Sequence, residues 1–461
     1  MSDTLHTMNE IFLPTPQNTI VGVVGLGYVG LPVACEFARV GFTVIGIDIK
    51  TDRVNKINTG ISPIEGNEPG LQELLREVVE TGKLQASTNY NDLAQANIVT
   101  VNVETPVDDD NIPQYSALKA AVRSMGRVLR PNTLVIIEST VAPGTTLSIV
   151  KPLLEESSCL VVPLTQDDQL KHKDKVIFLG MCPERVMPGL LIKNLRGLSR
   201  VCGGCTPEIA QTMVHFYRHI IPHADLDPSD ILTAELVKTT ENAYRDVQIA
   251  FANEVALICE SAGGDVWKVR ELVNKSPGRN MLLPGAGVGG HCIPKDPWLL
   301  IHAPRLMGNP FSAQLIPAAR SVNEFMPVHI HNRLGVVLAK HGIDHRHARV
   351  LMLGYSYLED SDDTRHTPSE KLLQLLLNNG TSVIIHDPYI AEHNGDVYEK
   401  AQNCDAVILM VKHTTYKNLD LRRLRGIMHT PIFIDGRGLY SAIKMKHAQL
   451  DYYCVGVNKT I

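Results

Sequence analysis

The sequence predicts an α/β protein built from two Rossmann-like, doubly wound parallel-sheet domains joined by a helical central domain with a long spine helix. Three observations carry that reading. Apolar runs ending in glycine or an acid alternate with helical stretches up to about residue 215, the same alternation restarts at Arg349, and between them lies a stretch of some 30 residues without a helix breaker. The expected divisions are a flexible leader at 1–18, a first sheet domain at 19–215, a helical domain at 216–342 and a second sheet domain at 343–461. A chain of 461 residues exceeds what one core holds.

Hydrophobic residues at 44% and charged residues at 20% are ordinary for a globular chain, and 44 Lys plus Arg against 49 Asp plus Glu leave a net charge of −5. That balance argues against nucleic acid and against a membrane surface as partners, so an anionic ligand must be held by local groups. No run of 18 apolar residues occurs, and the leader, with Pro14 and Pro16, has no apolar core of signal-peptide length. Nine cysteines, an odd number scattered from Cys35 to Cys454, read as reduced thiols of a cytoplasmic enzyme rather than a disulfide framework. Cys202-Gly-Gly-Cys205, followed by Thr206-Pro207, is expected to be a strand-to-helix turn. No metal is expected, since no second Cys or His pair stands at zinc-finger spacing.

The first strand begins at Thr19 and turns on Gly25-Leu-Gly27-Tyr28-Val29-Gly30 directly into a helix. The next, Thr43–Asp48, ends in an acid 18 residues after Gly30. In that setting GxGxxG is a dinucleotide fingerprint: Gly25 and Gly27 allow a tight turn and close approach of a pyrophosphate, Gly30 lets helix and strand pack, and Asp48 accepts ribose hydroxyls. An acid there repels a 2′-phosphate, so NAD is favoured over NADP. Tyr28, Val29 and Arg53 belong to the same candidate cofactor set. Further strands, 97–103 and 133–138, end just before Thr105-Pro106 and Ser139-Thr140, which either border the nicotinamide half or are ordinary turn residues.

A helix is expected from about Ser229 to Ser261, opened by Asp227 as cap with Pro228 in its first turn and stopped by Gly263-Gly264. Its length suits a spine that offers a face to a partner subunit, so a homodimer or higher homo-oligomer is expected. Strands of the last region are expected at 349–354, 381–387, 405–411 and 431–435. Ligands are expected at the carboxyl ends of both sheets, with the active site in the cleft between them.

Gly287-Val-Gly-Gly-His-Cys292-Ile-Pro-Lys295-Asp296 concentrates the remaining chemistry. A thiol attacks as thiolate, an ammonium such as Lys295 favours that form, and four glycines between Gly285 and Gly290 would let a substrate approach the main chain. Read alone, the segment is equally a glycine-rich turn around a structural cysteine.

Together with Glu138-Ser-Thr140, Cys182-Pro-Glu184-Arg185, the run Glu235–Glu254 and Asp362-Asp-Thr-Arg-His-Thr-Pro-Ser369, these motifs make the chain resemble the nucleotide-sugar 6-dehydrogenases from about residue 20 to 445. The resemblance implies a UDP-sugar substrate whose C6 alcohol is oxidised to a carboxylate with two NAD and one water. Cys292 would capture the intermediate aldehyde as a thiohemiacetal and then carry a thioester that water hydrolyses. Lys238 and Asn242, four residues apart on one helix face, would steady the oxyanions, although that spacing alone reads as a solvated face. The resemblance further implies substrate contact and proton handling by Glu184, an ordered water at Thr140, and water orientation or thiol deprotonation by Asp296. It places Arg185, Gly289 and Arg279 toward the sugar or diphosphate and Lys295 toward the cofactor, with Asp363, Arg365 and Arg437 near the nucleotide and subunit contacts.

Two departures stand out. Where many members have Phe-Lys, this chain has Tyr357-Leu358, and where UDP-glucose enzymes have a second glutamate it has Pro188. The Cys182–Gly189 and Glu241–Val247 segments look like the N-acetylhexosamine branch, UDP-N-acetylmannosamine before UDP-N-acetylglucosamine. Lys295 is typical of UDP-glucose enzymes and keeps that substrate as an alternative. Two other classes stay open: a two-electron NAD dehydrogenase in which Cys292 merely packs, and a catalytically silent nucleotide-binding protein.

Overall fold

The computed structural model describes residues 13–64, 66 and 68–458, so residues 1–12 of the expected leader lie outside the described residues. The chain divides into two compact units. One runs to Glu241 and takes in Trp298–Ser312; the other comprises Asn242–Pro297 and the chain from Ala313.

In the first unit, β1 (Ile20–Val24), β2 (Thr43–Ile47), β3 (Leu84–Ser87), β4 (Ile98–Val101), β5 (Leu134–Ile137), β6 (Phe178–Met181), β7 (Arg200–Gly204) and β8 (Leu226–Asp230) form one sheet in the order β3-β2-β1-β4-β5-β6-β7-β8. The first six strands are parallel, and their winding reverses between β1 and β4, the switch point where such sheets bind ligands. β4 and β5 are wholly apolar or β-branched and wholly buried, as strands covered on both faces must be. On one side Phe37, from the helix Gly30–Arg39, stacks on Phe216 with ring centroids 4.2 Å apart.

β7 runs antiparallel to β6, and β8 pairs with β7 at the sheet edge. β3 and β8 escape the sequence pattern because they carry Gln, Ser, Pro or Asp instead of an apolar run. Pro228 lies inside β8, which an edge strand tolerates. The expected cap therefore moves: the long helix is Ile231–Ala262, and Asp230, not Asp227, closes its start by accepting the Thr233 N–H at 2.8 Å and hydroxyl at 2.6 Å. Cys202 lies in β7, and Cys205 in the turn before the helix Pro207–Arg218.

In the second unit, β9 (Arg349–Leu353), β10 (Ser382–His386), β11 (Ala406–Leu409), β12 (Ile432–Asp435) and β13 (Asp451–Cys454) form an all-parallel sheet in the order β10-β9-β11-β12-β13. Its switch point falls between β9 and β11. The helix Leu315–Lys340 packs on the helix Pro368–Asn378. The spine helix, 32 residues, is about 48 Å long at 1.5 Å per residue.

The cap assignment is testable by urea unfolding. Asp230→Ala should lower stability by about 1 kcal/mol, whereas Asp227→Ala should stay within about 0.5 kcal/mol. The reverse ranking would restore Asp227 as the cap.

Candidate functional site

At the first switch point, β1 passes into its helix through Gly25, whose φ of +89° favours glycine and where a Cβ would lie 2.4 Å from the Asn102 carbonyl oxygen. A Cβ on Gly30 would lie 1.9 Å from the Gly25 carbonyl oxygen. Gly27 differs: nothing stands within 4 Å of where its Cβ would be, so a ligand can reach the main chain there. Val29 precedes the helix as its N-cap residue, and the Tyr28 hydroxyl donates to Glu68, which also accepts the Gly189 N–H at 2.7 Å. Asp48, nearly buried, accepts the Leu26 N–H and Arg53 Nη1 on Oδ2 and the Lys50 N–H on Oδ1, each at 2.9 Å.

Thr105 Oγ1 donates to the Thr140 carbonyl oxygen at 2.6 Å, which brings the ends of β4 and β5 together. Beneath them Glu138 accepts from Asn102 Nδ2 and the Tyr217 hydroxyl, both at 2.6 Å, and pairs with buried Arg200 at 3.3 Å. Burial pushes the Glu184 carboxyl above the usual carboxylate range, opposed first by the Lys238 ammonium and then by Arg200. Glu184 and Lys238 are thus neighbours within the first unit. Arg185 is engaged elsewhere: Nη1 donates to the Ser199 carbonyl and hydroxyl, and Nε pairs with Glu241 at 3.0 Å.

In the second unit, the Cys292 residue is exposed, and its carbonyl oxygen accepts the N–H groups of Lys295 (3.1 Å) and Asp296 (2.8 Å), starting the helix Asp296–Leu306. Asn242 Nδ2 donates to Asp296 Oδ2 at 2.6 Å, and Lys295 Nζ lies 3.4 Å from Oδ1. Asn242, Lys295 and Asp296 are therefore one cluster beside the cysteine. The glycines of the loop pack closely. A Cβ on Gly289 would meet Tyr357 Cβ at 2.6 Å and the His366 carbonyl oxygen at 2.8 Å, one on Gly290 would meet the Tyr357 ring at 2.7 Å, and one on Gly285 would meet Arg437 Nη1 at 2.6 Å. In the Cβ direction they admit neighbouring protein. Arg437 donates to the Gly287 carbonyl oxygen at 3.3 Å, and Asp363 holds Arg365 at 2.6 Å. Arg279 is exposed and donates to the Pro277 carbonyl oxygen, so it is not gathered into this cluster.

Residues 19–221 match the NAD binding domain of the UDP-glucose/GDP-mannose dehydrogenase family, 232–325 its central domain and 351–442 its UDP binding domain. The chain belongs to the UDP-glucose/GDP-mannose dehydrogenase family. It is an NAD-dependent nucleotide-sugar dehydrogenase. It is 36% identical to the UDP-N-acetyl-D-mannosamine dehydrogenase of Pyrococcus horikoshii, over 91% of this chain and 95% of that one. To the NDP-N-acetyl-D-galactosaminuronic acid dehydrogenase of Ralstonia nicotianae it is 35% identical, over 92% and 96%. A solved structure of the UDP-D-ManNAc dehydrogenase from Pyrococcus horikoshii matches with a TM-score of 0.86 at 34% identity, covering 95% of this chain and 99% of that one.

The first unit fits NAD: Gly27 gives an open main-chain approach, and Asp48 keeps acceptor capacity beyond its three present donors. Other parts of the dehydrogenase were not signalled by its sequence. Arg200 has no motif around it, and Tyr357 figured only as a departure, although it floors the glycine loop. His291 sits beside Cys292 with its imidazole pushed down to about 4 by burial, then by Lys295 and Arg365. It is a neutral ring at physiological pH.

Glu235, on the first turns of the spine helix, accepts the N–H groups of Gly144 (2.6 Å) and Thr146 (2.8 Å) and so fixes the turn that follows Thr140. Burial pushes its carboxyl from 4.5 up to about 7. The fold therefore binds this proton more tightly than the unfolded chain, and the contribution is full below pH 4.5 and lost as pH rises through 7. The loss should approach about 3 kcal/mol in urea unfolding between pH 5 and 8, and Glu235→Gln should flatten that slope. An unchanged slope in the variant would remove Glu235 as its source.

Proposed function

We propose that the dehydrogenase oxidises the C6 hydroxyl of a UDP-N-acetylhexosamine to the uronate in two NAD-dependent steps through a Cys292 thioester. UDP-N-acetylmannosamine is favoured and UDP-N-acetylglucosamine next, with UDP-glucose as the alternative. The observation that carries this reading is the cluster at the exposed Cys292, in which Asn242 and Lys295 both hold Asp296 one helical start away from the thiol. Relatives named for UDP-N-acetyl-D-mannosamine and for N-acetyl-D-galactosaminuronic acid, at 36% and 35% identity, support an amino sugar over glucose. A solved UDP-glucose dehydrogenase from Pyrobaculum islandicum is 28% identical.

NAD supplies the hydride acceptor for both oxidations. The substrate alcohol also loses its hydroxyl proton in the first step, to the Glu184 carboxylate or to water held at Thr140. The Cys292 sulfur then adds to the aldehyde carbon while its proton passes to the aldehyde oxygen, giving a thiohemiacetal; loss of its C–H as hydride to the second NAD and of its hydroxyl proton to water leaves a thioester. Water adds to the thioester carbon, Asp296 receives a proton of that water, and the thiol departs with the carboxylate formed. Asn242 and Lys238 donate to the oxygen on which negative charge builds at each addition. Two NAD and one water are consumed per carboxylate. A two-electron oxidation with Cys292 merely packing would stop at the aldehyde.

Counting NADH per sugar separates these. Wild-type protein given NAD and a panel of UDP- and GDP-sugars should form two NADH per uronate, with the amino sugars used best. Cys292→Ala should lose at least about a thousandfold in uronate formation. Full turnover in that variant would sink the covalent route.

The reading extends to assembly and location. Tyr244, Phe251 and Ile258 recur at seven-residue spacing on the spine helix and are 63%, 57% and 58% exposed, an apolar stripe suited to a second copy of the chain. We take the protein as a homodimer or higher homo-oligomer built on it. Phe251→Glu should shift the sedimentation coefficient to the monomer; an unshifted oligomer would place the interface elsewhere. The three-domain division at residues 215 and 342 and a cytoplasmic location, the latter supported by the reading of its cysteines as reduced thiols and by the demand for NAD, belong to the same proposal. Among the described residues no helix is long and apolar enough to cross a membrane.

A further inference from the structure

The winding of the second sheet reverses between β9 and β11, inside the region matching the family's UDP binding domain. Two segments meet there, one leaving β9 and one leaving β11. They are stitched together: buried His413 accepts the Asp360 N–H on Nδ1 at 2.9 Å and donates from Nε2 to Asp387 at 3.1 Å, while the Thr414 N–H and hydroxyl donate to the Asp360 carboxylate at 2.8 and 2.6 Å. Their neighbours Lys412 and Glu359 are thereby held face to face, Nζ 3.4 Å from Oε1, with the side chains 25% and 48% exposed.

Arg437, just past the end of β12, points its guanidinium into the same edge. Its hydrogen bonds go to main-chain oxygens, those of Met410 at 2.6 Å and Gly287 at 3.3 Å, and among the described residues no carboxylate is within ion-pair distance of it. Burial lowers its pKa to about 10, and Glu359 is the first of the acids that oppose the shift. Glu359 thus pairs with Lys412 and lies within the electrostatic reach of Arg437, at a point where a parallel sheet receives its ligand. Leu358, beside it, is an apolar side chain 36% exposed.

We propose that Lys412, with Arg437, holds the diphosphate of the UDP-sugar, and that Glu359 fills this place until substrate displaces it. The inference rests on the nucleotide-sugar reading and deepens it: the charge absent at Leu358 is supplied from the facing strand end. Incoming diphosphate replaces Glu359 on Lys412 with oxygens of higher charge that Arg437 also faces, and the released carboxylate swings to solvent.

Calorimetric titration of the full-length protein with UDP and with uridine tests it. Lys412→Ala should weaken UDP about tenfold and leave uridine unchanged. Glu359→Gln should tighten UDP several-fold, a gain that misfolding cannot produce. Unchanged UDP affinity in Lys412→Ala, or weaker UDP binding in Glu359→Gln, would overturn the proposal. NADH formation keeps the two readings apart. Lys412-dependent UDP binding without oxidation of any nucleotide sugar would uphold this subsite and remove the proposed reaction. Oxidation with a wild-type KM in Lys412→Ala would do the opposite.

Discussion

The buried Arg320–Asp246 pair, 2.7 Å apart with both side chains shielded from solvent, is the contact on which the placement of the cysteine loop depends. Asn323 Nδ2 donates to the same carboxylate at 2.7 Å, Asn253 Nδ2 donates to Asn323 Oδ1 at 2.9 Å, and Asn253 Oδ1 accepts the Gly285 N–H at 2.8 Å. A chain of four side chains thus runs from the ion pair to the main chain at the start of the loop. Burial pushes the Asp246 carboxyl up and Arg320 pulls it back. Such a pair adds little net stability, but losing one partner costs about 3–5 kcal/mol because the other charge is left buried. Its effect is to admit one register between the helices Ile231–Ala262 and Leu315–Lys340, and the loop inherits that register through Asn253.

Glycine does the complementary work. Gly289 and Gly290 lie against Tyr357, Gly285 against Arg437, and Gly30 against the Gly25 carbonyl, so most glycines of the two motifs serve contact between protein segments. Only at Gly27, of the motif glycines, is space left for a ligand. A GxGxxG or GxGG pattern therefore reports close approach, and which partner approaches is decided by the fold around it.

Legibility in the sequence followed the same division. β1, β2, β4 and β5 were readable because strands buried on both faces need unbroken apolar runs. β8 was not, since the edge of a sheet permits Pro228 and two acids where a central strand could not. The spine helix was readable from its length, but its cap was misplaced by three residues, because Asp227-Pro228 imitates a helix start that the edge strand uses first. Cys292, Asn242 and Asp296 could be named through the family resemblance of their motifs, since the spacing of Asn242 by itself reads as a solvated face. Tyr357, Arg200 and Lys412 could not, because each acts through a partner distant in sequence: Gly290, Glu138 and Glu359.

Lys295 illustrates how structure changes the weight of a residue. In the sequence it pulls the substrate toward UDP-glucose. In the fold it is 8% exposed and lies 3.4 Å from Asp296, whose other oxygen accepts from Asn242. A Lys side chain so placed gives a wholly buried carboxyl group a partner of opposite charge. It also lies close enough to His291 to help keep that ring neutral. Replacing it with an apolar residue would require Asp296 to find another counter-charge, whichever hexose is bound. The identity of residue 295 therefore speaks first to how the buried Asp296 side chain is paired beside the cysteine loop.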